Sequence, residues 1–136
     1  VSTAAVPLLT AIFARLSGSA ALQARGVRVY DEVPETAVTP YVTLGDPSEL
    51  PSDQHDAQGL DVDLDLHVWS RYRGYKEAAE IVALLHAELD RKPLPVDGFT
   101  NVSIAAGGAR YMRDPDPELR HGVAPFRVWL TVDSTP

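Results

Sequence analysis

Apolar residues occupy every second position from Leu60 through Val62, Leu64 and Leu66 to Val68, with Asp61, Asp63, Asp65, His67 and Trp69 between them. Successive side chains of a strand point to opposite faces, so this alternation predicts a strand from Leu60 to Ser70 with one buried and one acidic face. A second alternation, Phe126, Val128, Leu130 and Val132, predicts the last strand, and Pro125 places its start at an edge or a bulge. Val27–Tyr30 and Tyr41–Leu44 predict two short strands, and Val102 to Met112 a weaker one bent at Gly107 and Gly108.

Helical spacing appears twice. Leu8, Leu9, Ile12, Phe13 and Leu16 make one apolar face, with Thr3 as the expected cap and Gly18 as the stop. A short helical turn is expected over Ser19 to Ala24, closed by Gly26. Tyr75, Ala78, Ala79, Val82, Leu85, His86 and Leu89 trace a second stripe, which Ile81 and Leu84 widen, so this helix is expected to be covered on more than one side and to end at Pro93. The run DPSELPSDQHDAQG at 46–59 reads as a long loop, and DPDPELRHG at 114–122 as another. Together these elements predict a single-domain α+β fold over residues 1–136, a mainly antiparallel β-sheet with two α-helices packed on it.

Composition narrows the function classes. The chain has no cysteine, which removes disulfide frameworks and thiolate metal sites. Pro7, Arg15 and Gly18 interrupt the apolar start, so neither a signal peptide nor a membrane span is expected. A net charge of −7 argues against a protein that grips DNA by its phosphates. The charge is unevenly placed: residues 1–68 hold 3 Arg against 10 acids, whereas residues 69–136 hold 9 Lys or Arg against 9 acids. Such asymmetry suits head-to-tail self-association or repulsion of a polyanion.

Catalytic chemistry finds little support. Asp61, Asp63 and Asp65 have the spacing that opens a calcium-binding loop, but Leu66 stands where that loop needs glycine and Tyr72 where it needs glutamate. His55, His67, His86 and His121 show no metal-ligand spacing, and no GxSxG, GxGxxG or phosphate loop occurs. No catalytic, cofactor-binding or metal-binding residue is expected. Trp69, Tyr72, Tyr75, Tyr111 and Trp129 lie next to Arg71, Arg73, Arg110, Arg113 and Arg127, a mixture enriched at the centres of protein–protein interfaces. Stacking of single-stranded nucleic acid would use the same residues, and the acidic total disfavours it.

Three segments together resemble the phage tail-completion (tail-terminator) family of long-tailed phages and phage-like gene transfer particles. They are VYDEVPETAVTPYVTLGD at 29–46, LDLHVWSRYRGYKEAAEIVALL at 64–85 and MRDPDPELRHGVAPFRV at 112–128. The resemblance implies a structural protein without enzymatic activity or cofactor. It further implies a homo-oligomeric, hexameric ring at the head-proximal end of the tail tube, which ends tube growth and joins the tail to the head connector. The implied partners are further copies of the chain, the tail tube protein and a head-side connector or stopper, with DNA only passing through the channel and no membrane. The implied location is the head–tail junction of a virion or phage-like particle assembled in the bacterial cytoplasm.

On that basis Asp61, Asp63 and Asp65 are expected to face the channel or a neighbouring subunit. Arg71, Tyr72, Arg73, Arg113, Asp114, Arg120 and His121 are expected at an inter-subunit or partner interface, and Glu49, Asp53 and Asp56 in a partner-contacting loop. The alternative within the class is a head-completion or connector protein at the same junction. An alternative from another class is a small-molecule-binding or hydrolytic α+β domain using His67 or His121 with nearby aspartates.

Overall fold

A computed structural model describes residues 3–53 and 57–133. The elements run α1 (Ala5–Ser17), α2 (Ala20–Ala24), β1 (Arg28–Tyr30), β2 (Tyr41–Leu44), β3 (Ser48–Pro51), β4 (Gly59–Ser70), α3 (Lys76–Leu89), β5 (Phe99–Ala106), β6 (Arg110–Arg113) and β7 (Arg120–Val132). Two long antiparallel strands, β4 and β7, form the spine, paired without interruption from Gly59 opposite Thr131 to Ser70 opposite Arg120. Each is flanked on its outer side by two short strands placed end to end. β3 pairs with the first half of β4 and β2 with the second, while β6 pairs with the first half of β7 and β5 with the second. The parallel strand β1 extends the sheet beyond β2.

All the helix packing falls on one side of this sheet. Leu60, Val62, Leu64, Leu66 and Val68 of β4 and Ala124, Phe126, Val128 and Leu130 of β7 are buried beneath α1 and α3. The helices contribute Leu8, Ile12 and Leu16 from α1 and Ala78, Ile81, Val82, Leu85 and Leu89 from α3. A fully buried Leu, Ile or Phe side chain contributes about 1.5–3 kcal/mol, so this one layer dominates the stability. Arg15 ties α1 to the far end of α3, donating to the carbonyls of Glu88 at 3.1 Å and Pro93 at 2.6 Å. α3 packs against strands and against both other helices, as the width of its apolar arc predicts.

Several expectations need correction. Thr3 stands one residue before the cap position, its hydroxyl accepting at 3.4 Å from the Ala5 amide, and the cap residue Ala4 has no side-chain acceptor to offer. The acceptor comes instead from 45 residues away, where Glu49 on β3 receives the Ala4 amide at 2.6 Å and the Thr3 hydroxyl. A carboxylate there satisfies an orphan helix donor and suits the positive end of the helix dipole. Replacing Glu49 with alanine is therefore expected to cost about 1 kcal/mol, the usual value of a lost cap, read as a lower urea midpoint at an unchanged slope. An unchanged midpoint would show that water replaces the carboxylate without loss.

The 46–59 run is a strand in part rather than a loop throughout. Ser48–Pro51 has no alternation of its own and becomes β3 because the free edge of β4 supplies the pairing. Phe13 lies off the buried face, 40% exposed, because the Leu8–Ile12–Leu16 row of α1, flanked by Leu9 and Ala11, is the one that faces the core. The short turn expected over Ser19 to Ala24 is the helix α2, capped by Ser19, whereas α3 ends at Leu89, before Pro93. The expected strand over Val102–Met112 is two strands, with Gly107 and Gly108 in the break. β7 begins at Arg120, so Pro125 sits inside it; the Pro125 carbonyl accepts from Gly107 at that break, and the missing Pro N–H falls there too.

Candidate assembly surface

The second face of the sheet carries no helix. Register places Tyr41 and Thr43 of β2, Ser48 and Leu50 of β3, the odd-numbered residues of β4 and β7 and Met112 of β6 on it. Most of these are polar, yet three large apolar side chains stand open among them: Leu50 at 62%, Trp129 at 37% and Met112 at 37% exposure.

The acidic row is partly neutralised from within. Arg127, opposite Asp63 on β7, reaches back to grip Asp61 with two hydrogen bonds, Nε to Oδ1 at 3.0 Å and a terminal nitrogen to Oδ2 at 2.6 Å. Its Nε is 3.9 Å from Asp63 Oδ1, and its guanidinium lies over the Trp129 ring, 5.2 Å from the centroid. The Arg127 hydrogen bonds hold the Asp61 carboxyl below the ordinary aspartate value against the opposing effect of burial, and the same bonds raise Arg127. Asp63 remains 67% exposed, and Asp65 makes no ion pair with the described residues. The charge that faces outward is therefore that of Asp63 and Asp65, not of the whole row.

Arg71, Tyr72, Arg73, Arg113, Asp114, Arg120 and His121 gather at the other end of the spine, where β4 leaves and β7 enters the sheet. The loop between β6 and β7 is folded on itself: Asp114 accepts from the Asp116 amide and Asp116 from the Glu118 amide, each at 3.1 Å. Arg71 crosses from the end of β4 to Asp116 at 3.1 Å and Glu118 at 3.7 Å. The Glu118 amide, then Arg71, keeps the Asp116 carboxyl below its ordinary value. Arg120 donates to the Pro117 carbonyl at 2.7 Å and lies over Tyr75, while Tyr72 and Arg73 are exposed. Buried Ser70 fixes the turn, donating to Glu77 at 2.6 Å and accepting from the Tyr72 amide at 3.1 Å.

Of the expected partner loop, Glu49 is occupied at the start of α1, and Asp53 accepts from the Gly59 amide at 3.2 Å, closing the turn into β4. Asp56, like His55, lies outside the described residues. Arg127, Trp69 and Trp129, expected only as part of an interface-like mixture of aromatic and arginine residues, all stand on the open face. The alternation of β7 already put Arg127 and Trp129 on its polar face, but pairing Arg127 with Asp61 requires the β4–β7 register. His86 is half-buried with Phe126 edge-on to it, a packed histidine as its place on the helix stripe suggests. Among the described residues no group of three or more His, Asp or Glu side chains is arranged to hold a metal ion. No described helix is long and apolar enough to cross a membrane. An open depression of about 510 Å³ between α1, α2 and β1 is lined by Phe13, Val27, Arg28, Val29 and Tyr30 among others and carries no imidazole or carboxylate.

One face of the sheet is thus covered by helices, and the other carries polar, charged and exposed apolar side chains. The family described as "Tail completion protein gp17" matches residues 10–131. The chain belongs to that family. A curated relative, the tail completion protein gp17 of Bacillus phage SPP1, is 33% identical over 91 residues, 67% of each chain. A chain from the virion of a native gene transfer agent particle shares the fold, with a TM-score of 0.87 at 23% identity over 96% of this chain and 99% of that one. The protein is thus a structural component of a phage-type tail and belongs with the virion proteins of such a particle.

Proposed function

We propose that this tail completion protein closes the head-proximal end of a tail tube as a homo-oligomeric ring, the hexamer that the family resemblance implies, and joins the tail to a head-side connector. The observation that carries this reading is the open sheet face. It combines outward-facing Asp63 and Asp65, the exposed apolar side chains Leu50, Met112 and Trp129, and a cation-bearing end with Arg73 and Arg113. A closed ring needs a heterologous interface between two different patches of one subunit, and acidic and arginine-bearing patches at separate places on one molecule provide such a pair. Asp63 and Asp65 face either the neighbouring arginines or the channel, where acidic side chains keep DNA from anchoring. Tyr72, Arg113 and the 114–119 loop meet the neighbour or the partner proteins at the spine's end. The role is structural, without catalysis.

Removal of the gene from its particle tests the reading. Overlong or unjoined tails support it, whereas tails of normal length on leaking heads support a head-side completion protein. Complementation with an Asp63→Lys, Asp65→Lys double variant sharpens the test. Both side chains lie outside the core, so the variant is expected to fold normally by circular dichroism and to restore fewer than about one in ten of the joined particles, the effect of about 1.4 kcal/mol at each assembly step. Restoration at the unmodified level would remove the acidic row from the assembly surface.

A further inference from the structure

Toward the end of the open face where β7 enters the sheet, the imidazoles of His67 on β4 and His121 on β7 meet, Nδ1 of the first 2.7 Å from Nε2 of the second. The strand register pairs His67 with Val123 and Trp69 with His121, so this is a diagonal contact made by the side chains themselves. Trp69 lies flat on His121, with ring centroids 3.9 Å apart and planes 8° from parallel, and its Nε1 donates to Thr43 Oγ1 on β2 at 3.2 Å. Met112 of β6 is the register partner of His121 on the other side. One chain of contacts therefore runs from β2 through β4 and β7 to β6 and the loop that follows it.

Two imidazole nitrogens at 2.7 Å form a hydrogen bond, which needs one N–H and one lone pair. A neutral pair supplies them, and so does a pair holding one extra proton. A second extra proton fills the last facing lone pair, leaving two N–H groups and two like charges opposed, an arrangement that does not fit the 2.7 Å contact. The charged groups around the pair are Asp65 on the same face of β4, Arg110 on β6 and Asp114 after it; Trp69, Thr43 and Met112 are neutral. Burial, then the His67 charge, lowers the pKa of His121 below the ordinary 6.5, with Asp114 opposing and Arg110 assisting.

We propose that the His67–His121 pair is a proton-operated latch, closed with at most one extra proton and opened when both rings are charged, which fixes Trp69 and the return from β6 to β7 on the open face. The latch is a property of the single subunit; its consequence for assembly rests on the ring reading above. Because the folded state holds His121 below its unfolded value, its contribution is complete above pH 6.5 and is lost as pH falls through the lowered folded value. Opening therefore belongs to mildly acidic solution, and the acidified subunit presents a looser assembly face.

Imidazole and indole NMR of the full chain between about pH 8 and about pH 4.5, a range spanning ordinary histidine titration, tests the latch. Two separate steps are expected for the pair, with the Trp69 Nε1–H resonance, assigned with a Trp129→Phe variant, moving in the lower step. In His67→Gln, whose amide can bond His121 without taking a proton, a single His121 step is expected and the indole shift is lost. His121→Asn serves as a second variant should the first lose its amide dispersion. Both rings titrating as independent ordinary histidines, or an indole resonance blind to the lower step, would overturn the latch. Self-association is then compared on the two sides of the lower step, where the unmodified chain is expected to lose it and His67→Gln to keep it. Equal association on both sides overturns the assembly consequence alone. Absence of association at every pH counts against the ring, while the NMR result still decides the latch.

Discussion

Truncating Phe126 to alanine is expected to lower stability by about 3–5 kcal/mol, the largest single-residue effect in this protein. The ring sits at the middle of β7, 2% exposed, with Leu64 of β4 and Ala106 of β5 as its register partners and His86 of α3 edge-on at 5.8 Å between centroids. The void left behind is bounded by the two longest strands, which are held by paired backbone, and by α3, which packs on them through side chains. A fall in melting temperature of roughly 10–20 °C follows from that energy for a domain of this size. A fall of only a few degrees would mean that the helix layer closes over the void.

The second large effect concerns a residue with no side chain. Gly45 follows β2, donates to the Asp65 carbonyl at 2.7 Å, and approaches so closely that an added Cβ would stand 2.2 Å from that oxygen and 3.1 Å from His67 Nε2. The obstacle is backbone, so Gly45→Ala must push the end of β2 away from β4. A cost of about 2–3 kcal/mol is expected, at the upper end of overpacking, together with altered His67 resonances. Denaturation measured beside the NMR spectrum separates the outcomes: a stable variant with unshifted His67 would show that β2 ends freely at this point. Position 45 thus links the edge of the sheet to the histidine pair, and a methyl group there is expected to disturb both at once.

How much of this was legible beforehand depended on where the information lay. The alternation from Leu60 to Val68 named β4 and its buried face correctly, because an antiparallel strand with one covered side imprints period two on its own sequence. The stripe from Ala78 to Leu89 named α3 for the same reason at period 3.6. β3 was hidden because Ser48–Pro51 carries no pattern and owes its state to the free edge of β4. The capping of α1 by Glu49 and the grip of Arg127 on Asp61 were hidden because each depends on residues 45 and 66 positions apart. The His67–His121 contact is diagonal, so even the correct strand pairing would not have named it. The three family-like segments carried the functional reading instead, and two of them, the end of β4 and the loop before β7, fall at one end of the spine.

The spine has a mechanical meaning as well. β4 and β7 are paired along their whole common length, while β2, β3, β5 and β6 hold only half-lengths on either side. A load applied along the strands puts every hydrogen bond of the central pair under shear together, so no single bond can fail first. The same load reaching β2, β3 or β6 is carried by only four residues, which let go in sequence. A subunit anchored through the two ends of its long strands would therefore transmit tension as a stiff tie, and one anchored through β3 or β6 would yield by peeling.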